Sequence, residues 1–396
     1  MSTLAAVGIG VGSDAYLAAA NACNEALETL KKTPHLYIVY ASVAYDQTKM
    51  LAGIRSVSGD ALVVGCSTAG EIATSGPIKD HSIVVMAIYS ETIKFCAAVG
   101  ENIKDGAEQA GENVANAVKA CAREELKSFV MFPDVLVGNG ADIVRGILKS
   151  LGEYFPVVGG AAGDDFAFKT TYQYLNDKVY TGSVVGLGLS GDFKIGIGVK
   201  HGWMPIGKPH IATKSAGSVL HELDNKPAIT IYDEYFGDAA RELRDQTLAK
   251  LAVTYPLGIS NSHGDEMLIR DPLTVDASGS ITCAAEIPEG SEVYLMVGSR
   301  EEAVKVAKEA AALAVEQLQG AEPKFVLVFN CIARNKLFGD RGGDEINAIQ
   351  ESIGKQVPLI GFYTYGEQAP LYGEVKNLEK CSPGFHNETV VIAVIA

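Results

Sequence analysis

Gly65-Cys66-Ser67-Thr68-Ala69-Gly70-Glu71 and Gly361-Phe362-Tyr363-Thr364-Tyr365-Gly366-Glu367 share one pattern, G-x-x-T-x-G-E, at opposite ends of the chain. Each follows an apolar run, Ala61-Leu62-Val63-Val64 and Val357-Pro358-Leu359-Ile360. A looser third copy, Gly159-Gly160-Ala161-Ala162-Gly163-Asp164, follows Phe155-Pro156-Val157-Val158 and has Ala161 where the others have Thr. A buried strand that opens into a turn ending in a carboxylate presents polar groups at a sheet end. The glycines allow positive φ or close approach to a bound molecule. Each copy alone reads equally well as a strand-end turn; recurrence is what raises the functional reading.

The repetition extends outward. Unit one runs from a strand at 36–40 through a helix at 47–57, the first turn, and strands at 82–88 and 93–99. Unit two repeats the order with a strand at 128–132, a helix at 140–151, the turn at 155–164, and strands at 183–187 and 193–199. The helix carries Ile143, Ile147, Leu148 and Leu151 on one face. Unit three has a strand at 325–329, a helix at 344–353, the last turn and a strand at 389–394, one strand short of the others. Long Ala/Glu/Lys-rich helices at 104–126 and 300–318 separate the units, and residues 1–35 show one helix-like stretch. Residues 202–260 differ, with helical candidates at 218–223 and 229–236; strands at 266–270 and 279–283 follow, the second after an Asp276-Ala277-Ser278-Gly279 turn. Strands joined both by hairpins and by helices predict an α+β (mixed α/β) fold, with mixed sheets of repeated β-α-β-β-β units packed with long helices. The expected division is 1–235 and 236–396, with the boundary near 235–255.

The 396 residues carry a net charge of −15 and no Lys/Arg block, which argues against nucleic acid or an anionic membrane as partner. No uninterrupted apolar run is long enough to span a bilayer, and Met1-Ser2-Thr3-Leu4 lacks a charged leader region. Seven scattered cysteines without a C-x-x-C pair fit a reducing cytoplasm better than a disulfide scaffold. The seven histidines form no H-x-x-x-H or H-E-x-x-H, so no metal and no cofactor are expected; Asp164-Asp165 alone is weak evidence for a cation. Gly196-Ile197-Gly198-Val199-Lys200 lacks both nucleotide-loop patterns and reads as a small-residue strand.

Val64 to Ile72 and Gly159 to Asp165 resemble the signatures of the N-terminal domain of the FIST family (F-box and intracellular signal transduction). Tyr255-Pro256-Leu257, Ile269-Arg270, Phe329 to Arg334, Gly361 to Glu367 and Phe385 to Thr389 resemble its C-terminal domain. The resemblance covers nearly the whole chain in order. It implies a sensory input module for a small ligand, an amino acid or a derivative. Such modules are often fused to chemoreceptor, kinase or cyclase output domains. None is present here, so the output partner would be a separate protein.

The candidate ligand contacts follow. Cys66, Ser67, Thr68 and Glu71 belong to the first turn and Asp164 to the second. Glu71 and Glu367, if side by side, would hold an ammonium group or share a proton, or each would cap nearby amides. Arg270, on an apolar strand, wants a carboxylate from the chain or the ligand. Arg334, just past a strand, would grip an anion bidentately or form a surface ion pair. Tyr363 and Tyr365 share one strand face and suit a pocket wall or a core. His386 and Asn387 would cap the last strand or line a pocket. Cys66 and Cys331 read as inert buried thiols or, with His386 as base, as nucleophiles. The expected function is a cytoplasmic small-ligand sensor. The alternative is a thiol- or carboxylate-dependent hydrolase or transferase acting on an amide or amino-acid-like substrate.

Overall fold

The structure, a computed structural model, describes residues 2–78, 81–237, 254–260, 267–370 and 383–396. The chain opens with β1 (Thr3–Val11) and α1 (Ala15–Leu30), the latter capped by Asp14 accepting from the Leu17 amide. The sequence shows only the helix, because the Ala/Gly-rich strand lacks apolar alternation. Unit one is β2 (Leu36–Ala41), α2 (Gln47–Ser58), β3 (Leu62–Ser67), the short β4 (Glu71–Ala73) and β5 (Gly76–Pro77), β6 (Ser82–Ser90) and β7 (Ile93–Gly100). After α3 (Ala107–Cys121), unit two is β8 (Leu126–Pro133), α4 (Gly140–Leu151), β9 (Val157–Gly160), β10 (Gln173–Leu175), β11 (Lys178–Tyr180), β12 (Val184–Gly191) and β13 (Ile195–Lys200).

A separate sheet follows, made of β14 (Trp203–Ala216), β15 (Val219–Leu223), β16 (Lys226–Pro227), β17 (Leu257–Ile259), β18 (Leu268–Arg270), β19 (Pro272–Val275), β20 (Ile281–Cys283) and β21 (Glu292–Gly298), with α5 (Thr230–Phe236) against it. The expected helix at 218–223 is β15: pairing with both β14 and β20 overrides its local helical pattern. Asp276–Gly279 forms the expected turn between β19 and β20. Most of the expected boundary near 235–255, and Glu266, His263 and Cys381, lie outside the described residues. After α6 (Arg300–Gln317), unit three is β22 (Phe325–Cys331), α7 (Ile332–Phe338), α8 (Gly342–Ile353), β23 (Leu359–Thr364), β24 (Glu367–Pro370), β25 (Pro383–His386) and β26 (Val390–Ile395).

Three six-stranded sheets carry the units, ordered β1-β6-β2-β3-β10-β11, β7-β12-β8-β9-β24-β25 and β13-β26-β22-β23-β4-β5. Each has one parallel pair with a helical crossover (β2/β3, β8/β9, β22/β23) and antiparallel neighbours. Every unit gives strands away: β4 and β5 leave unit one for the third sheet, β10 and β11 leave unit two for the first, and β24 and β25 leave unit three for the second. The closing strands β7 and β13 likewise pass to the next sheet. The place they fill beside β12 and β26 is taken beside β6 by β1, registered from Thr3↔Ser90 to Val11↔Ser82.

Alternation along each strand divides core from coat. Leu36, Ile38 and Tyr40 face a central core shared by the three sheets, while Tyr37, Val39 and Ala41 face α1 and α2. The centre holds Tyr40, Phe132, Phe329 and Phe362, with ring centroids 4.5 to 6.4 Å apart. Helices α3 and α4 cover the second sheet, and α6 and α8 the third. Gly196 and Gly198 lie under α6, where a Cβ would sit 1.8 Å from the Ala314 and Ala310 carbonyls. Close helix packing therefore explains that small-residue strand. The cysteine pattern points away from a disulfide framework, yet Cys96 on β7 and Cys121 on α3 are paired, with Cα atoms 6.1 Å apart.

Candidate functional site

The three turns interlock at one end of the core. Ala69 donates to the Tyr363 carbonyl at 3.0 Å and Tyr363 to that of Gly70 at 2.8 Å. Gly163 donates to Ser67 at 2.9 Å and Asp165 to Thr68 at 3.0 Å, while Ala161 donates to Gly366 at 2.8 Å and Tyr365 to Ala161 at 3.1 Å. Gly70 and Gly366 hold matching φ of 130° and 133°, the backbone a side chain resists.

Glu71 and Glu367 do not form a pair in one cavity. The hydroxyls of Thr68 and Thr364, three residues back, donate to them. Ser82, opening β6, donates to Glu71 at 2.6 Å; Thr389, just before β26, donates to Glu367 through its hydroxyl at 2.7 Å and its amide at 3.1 Å. Each carboxyl thus ties its turn to the returning strand. Burial pushes Glu71 up to about 7 and Glu367 up to about 8, against the opposing pull of these hydrogen bonds.

Asp164 organises the third turn. It accepts from the amides of Phe168 (2.8 Å), Lys169 (2.6 Å) and Thr170 (3.0 Å) and from the Tyr365 hydroxyl (2.5 Å). The segment it holds contains three non-glycine residues at positive φ, Asp165 (54°), Phe166 (68°) and Phe168 (52°). Local strain of this kind gathers at ligand clamps and active sites. Phe168 stacks on Tyr365 with centroids 4.5 Å apart.

These aromatics wall a cavity of about 110 Å³. Phe166, Phe168, Tyr365 and Leu136 form its sides; Asp271, Cys331 and Asn387 supply its polar floor. Asn387 is 2% exposed, and its Oδ1 meets no donor among the described residues. The same holds for Asp271 Oδ1 and for both oxygens of the wholly buried Glu388. Burial, then the neighbouring Asp271 carboxyl, raises Glu388 well above the carboxylate range. Asp271 is raised by burial as well.

The remaining candidates are elsewhere. Arg334 is fully buried: Nε and Nη2 donate to Glu345 Oε1 at 2.9 and 2.5 Å, Nη2 to the Ala303 carbonyl at 2.9 Å, and Nη1 to that of His201. Its partner is one oxygen of the chain's own carboxylate in the core, rather than a ligand or a surface acid. Arg270 donates to the carbonyls of Glu286 (2.7 Å) and Ile269 (2.9 Å), and burial lowers it to about 10. His386 pairs through Nε2 with the Ala369 carbonyl, and burial lowers it to about 4. Cys66 sits in the central core, and burial holds both Cys66 and Cys331 well above the thiol range. Ser67 donates to the Gly163 carbonyl and accepts from the Tyr172 amide, joining two turns. Glu71 and Tyr363 border a second, wider pocket of about 590 Å³ with His81, Asp165 and Lys336. There Ser42 Oγ and Asp165 both meet the same His81 nitrogen, Nδ1, at 2.9 and 3.4 Å, an arrangement unlike a serine nucleophile's relay.

Sequence reasoning missed Asp271, Glu388, Phe166 and Phe168. Asp271 and Glu388 adjoin residues it singled out, Arg270 and Asn387, and the two aromatics follow Asp164-Asp165 directly. Among the described residues no cluster of three His, Cys, Asp or Glu could hold a metal, and no helix is long and apolar enough to cross a membrane.

Family models match along the chain, the FIST N domain over residues 35–226 and the FIST C domain over 228–370. The chain belongs to the FIST family, whose domains are associated with signal transduction. An uncharacterized protein of Methanocaldococcus jannaschii is 26% identical over 338 residues, which is 77% of this chain and 64% of that protein. The chain therefore spans less than two thirds of that relative's length. An uncharacterized protein of Mycobacterium tuberculosis is 25% identical over 375 residues, covering 93% of this chain and 95% of its own. Among solved structures, a cyanuric acid hydrolase from A. caulinodans aligns over 100% of this chain and 99% of its own, with 8% identity and a TM-score of 0.38.

Proposed function

We propose that the chain is a cytoplasmic small-ligand sensor that takes an amino acid or a related small polar metabolite in the cavity behind Phe168 and Tyr365. One observation carries this reading: a small apolar-walled cavity whose floor holds buried polar atoms without partners. Unpartnered buried acceptors are costly, and a ligand that donates to them relieves that cost. The cavity lies below the usual ~300–1,000 Å³ of small-molecule pockets, so the ligand is compact. Its walls come from unit two, unit three and the intervening sheet. A ligand that draws them together shifts the molecule between conformers through its differential affinity. The reader of that shift is a separate output protein of kinase, chemoreceptor or cyclase type. The hydrolase or transferase alternative gains no support from the thiols, since both are held neutral and His386 is engaged by a carbonyl.

The test is thermal shift against a panel of compact metabolites. A true ligand at 100 times its Kd stabilises by about 2.7 kcal/mol. Phe168→Ala, at an exposed position, should abolish that shift while leaving the unliganded melting temperature nearly unchanged. A panel without response, or a response indifferent to Phe168, sinks the reading.

A further inference from the structure

We infer that the cavity selects primary amines over α-amino acids, and that the amine's ammonium group displaces one proton held between Asp271 and Glu388. This narrows the receptor reading above and rests on it.

The floor presents buried acceptors that lack donors, Asp271 Oδ1 and Asn387 Oδ1. Asp271 and Asn387 line it, Glu388 stands behind Asp271, and none of their oxygens named above has a donor among the described residues. An ammonium group offers three donors from a single compact atom and meets several acceptors at once. Among the described residues no Lys, Arg or His lines the cavity. Arg270 and Arg334 are bound to carbonyls and Glu345. A ligand carboxylate would therefore enter a site with no cation to receive it and two carboxyl groups to repel it. Rejection of this kind gives stronger selectivity than an added apolar contact. The aromatic walls accept the amine's hydrocarbon portion and flank its charge.

Two neighbouring carboxyl groups with buried oxygens hold one proton between them, because both cannot ionise together. The titratable and charged groups around Glu388 are Asp271 after β18, Glu367 on β24, Cys331 at the end of β22, Arg334 on α7 and Tyr232 on α5. Arg334 favours ionisation of Glu388, whereas Asp271 and Glu367 oppose it. An arriving ammonium tips this balance. The protonated pair and R–NH₃⁺ give the ammonium bound at Asp271 with both carboxyl groups ionised, and the proton leaves to solvent. Binding then tightens as pH rises toward the amine's own titration near ~10 and weakens by up to about tenfold per unit as pH falls below the pair's titration.

The experiment is titration calorimetry on the full chain with 2-phenylethylamine and isobutylamine against phenylalanine and valine. Two buffers of different ionisation heat count the protons. The expected result is amine binding at least tenfold tighter than that of the matching amino acid, with release of about one proton near neutral pH. Glu388→Gln should retain binding but release no proton and flatten the pH profile; Asp271→Asn, at a partly exposed position, should weaken amine binding at least tenfold. The wild-type proton count keeps the test decisive if Glu388→Gln does not fold. Amino acids binding as well as amines, or amine binding without proton release, overturns the proposal. If amino acids or neutral metabolites bind and amines do not, the receptor reading stands and this one fails. If nothing binds, both fail.

Discussion

Arg334 shows what one side chain contributes here. Its guanidinium joins α7 to Glu345 on α8, to the Ala303 carbonyl on α6 and to that of His201 beyond β13, and lies 5.5 Å from the Trp203 ring. Arg334→Ala leaves Glu345 in the core without its ion-pair partner, at an expected loss of about 3–5 kcal/mol. Urea denaturation reads this directly, and Arg334→Ala with Glu345→Ala together should recover part of the loss. The buried acids give a second expectation. Glu71 and Glu367 hold protons up to about 7 and about 8, so their contribution to stability is fully present below the unfolded value of 4.5 and is lost as pH rises through these folded values. His201 and His386, lowered to about 3 and about 4, act oppositely: their contribution is present above 6.5 and lost as pH falls. Between pH 6.5 and about 8 the acids alone act, so stability falls across that window, and Glu71→Gln with Glu367→Gln should flatten the fall in pH-dependent melting. The sequence made both glutamates conspicuous but could not reveal Ser82 and Thr389, the hydroxyls that claim them from distant positions.

Most regular elements were legible, because helix and strand periodicities survive wherever one face is buried. The helix at 140–151 and the strands at 325–331 and 390–395 are of this kind. Element β15 was not, since its pairing partners rather than its own pattern decide its state. The pocket wall was illegible for a related reason. Its shape comes from Asp164 gathering three nearby amides and the Tyr365 hydroxyl, the last of these 201 residues away. Asp164→Ala should release the Asp165–Phe168 segment from its left-handed backbone and weaken ligand binding more than tenfold. Amide exchange at Phe168, Lys169 and Thr170 would quicken locally while the global melting temperature drops only a few degrees. Exchange unchanged at these three positions would refute that role. At α6, Gly198→Ala forces a methyl onto the Ala310 carbonyl and should destabilise the fold by about 1–3 kcal/mol.

The whole molecule is a closed circuit. Each central sheet contains strands from more than one unit, and the third unites β4 and β5, β13, and β22, β23 and β26. The division at 235 read from the sequence therefore separates two stretches that share sheets. Residues 1–235 expressed alone should fail to give a cooperative melt, because the partners of β4, β9 and β13 would be missing. A sharp transition from that fragment would contradict this. Conversely, β1 occupies beside β6 the position that β7 and β13 occupy in the other sheets, so a permutant carrying residues 2–12 after Ala396 through a short linker should fold and melt cooperatively.

Interleaving of this sort also sets the order of events at birth. The strand Val390–Ile395, which lies between β13 and β22, leaves the ribosome long after β13, so the β13 edge must wait unpaired until then. Such distant pairings fold slowly, and the nascent chain will lean on chaperones that shield exposed edges in the meantime.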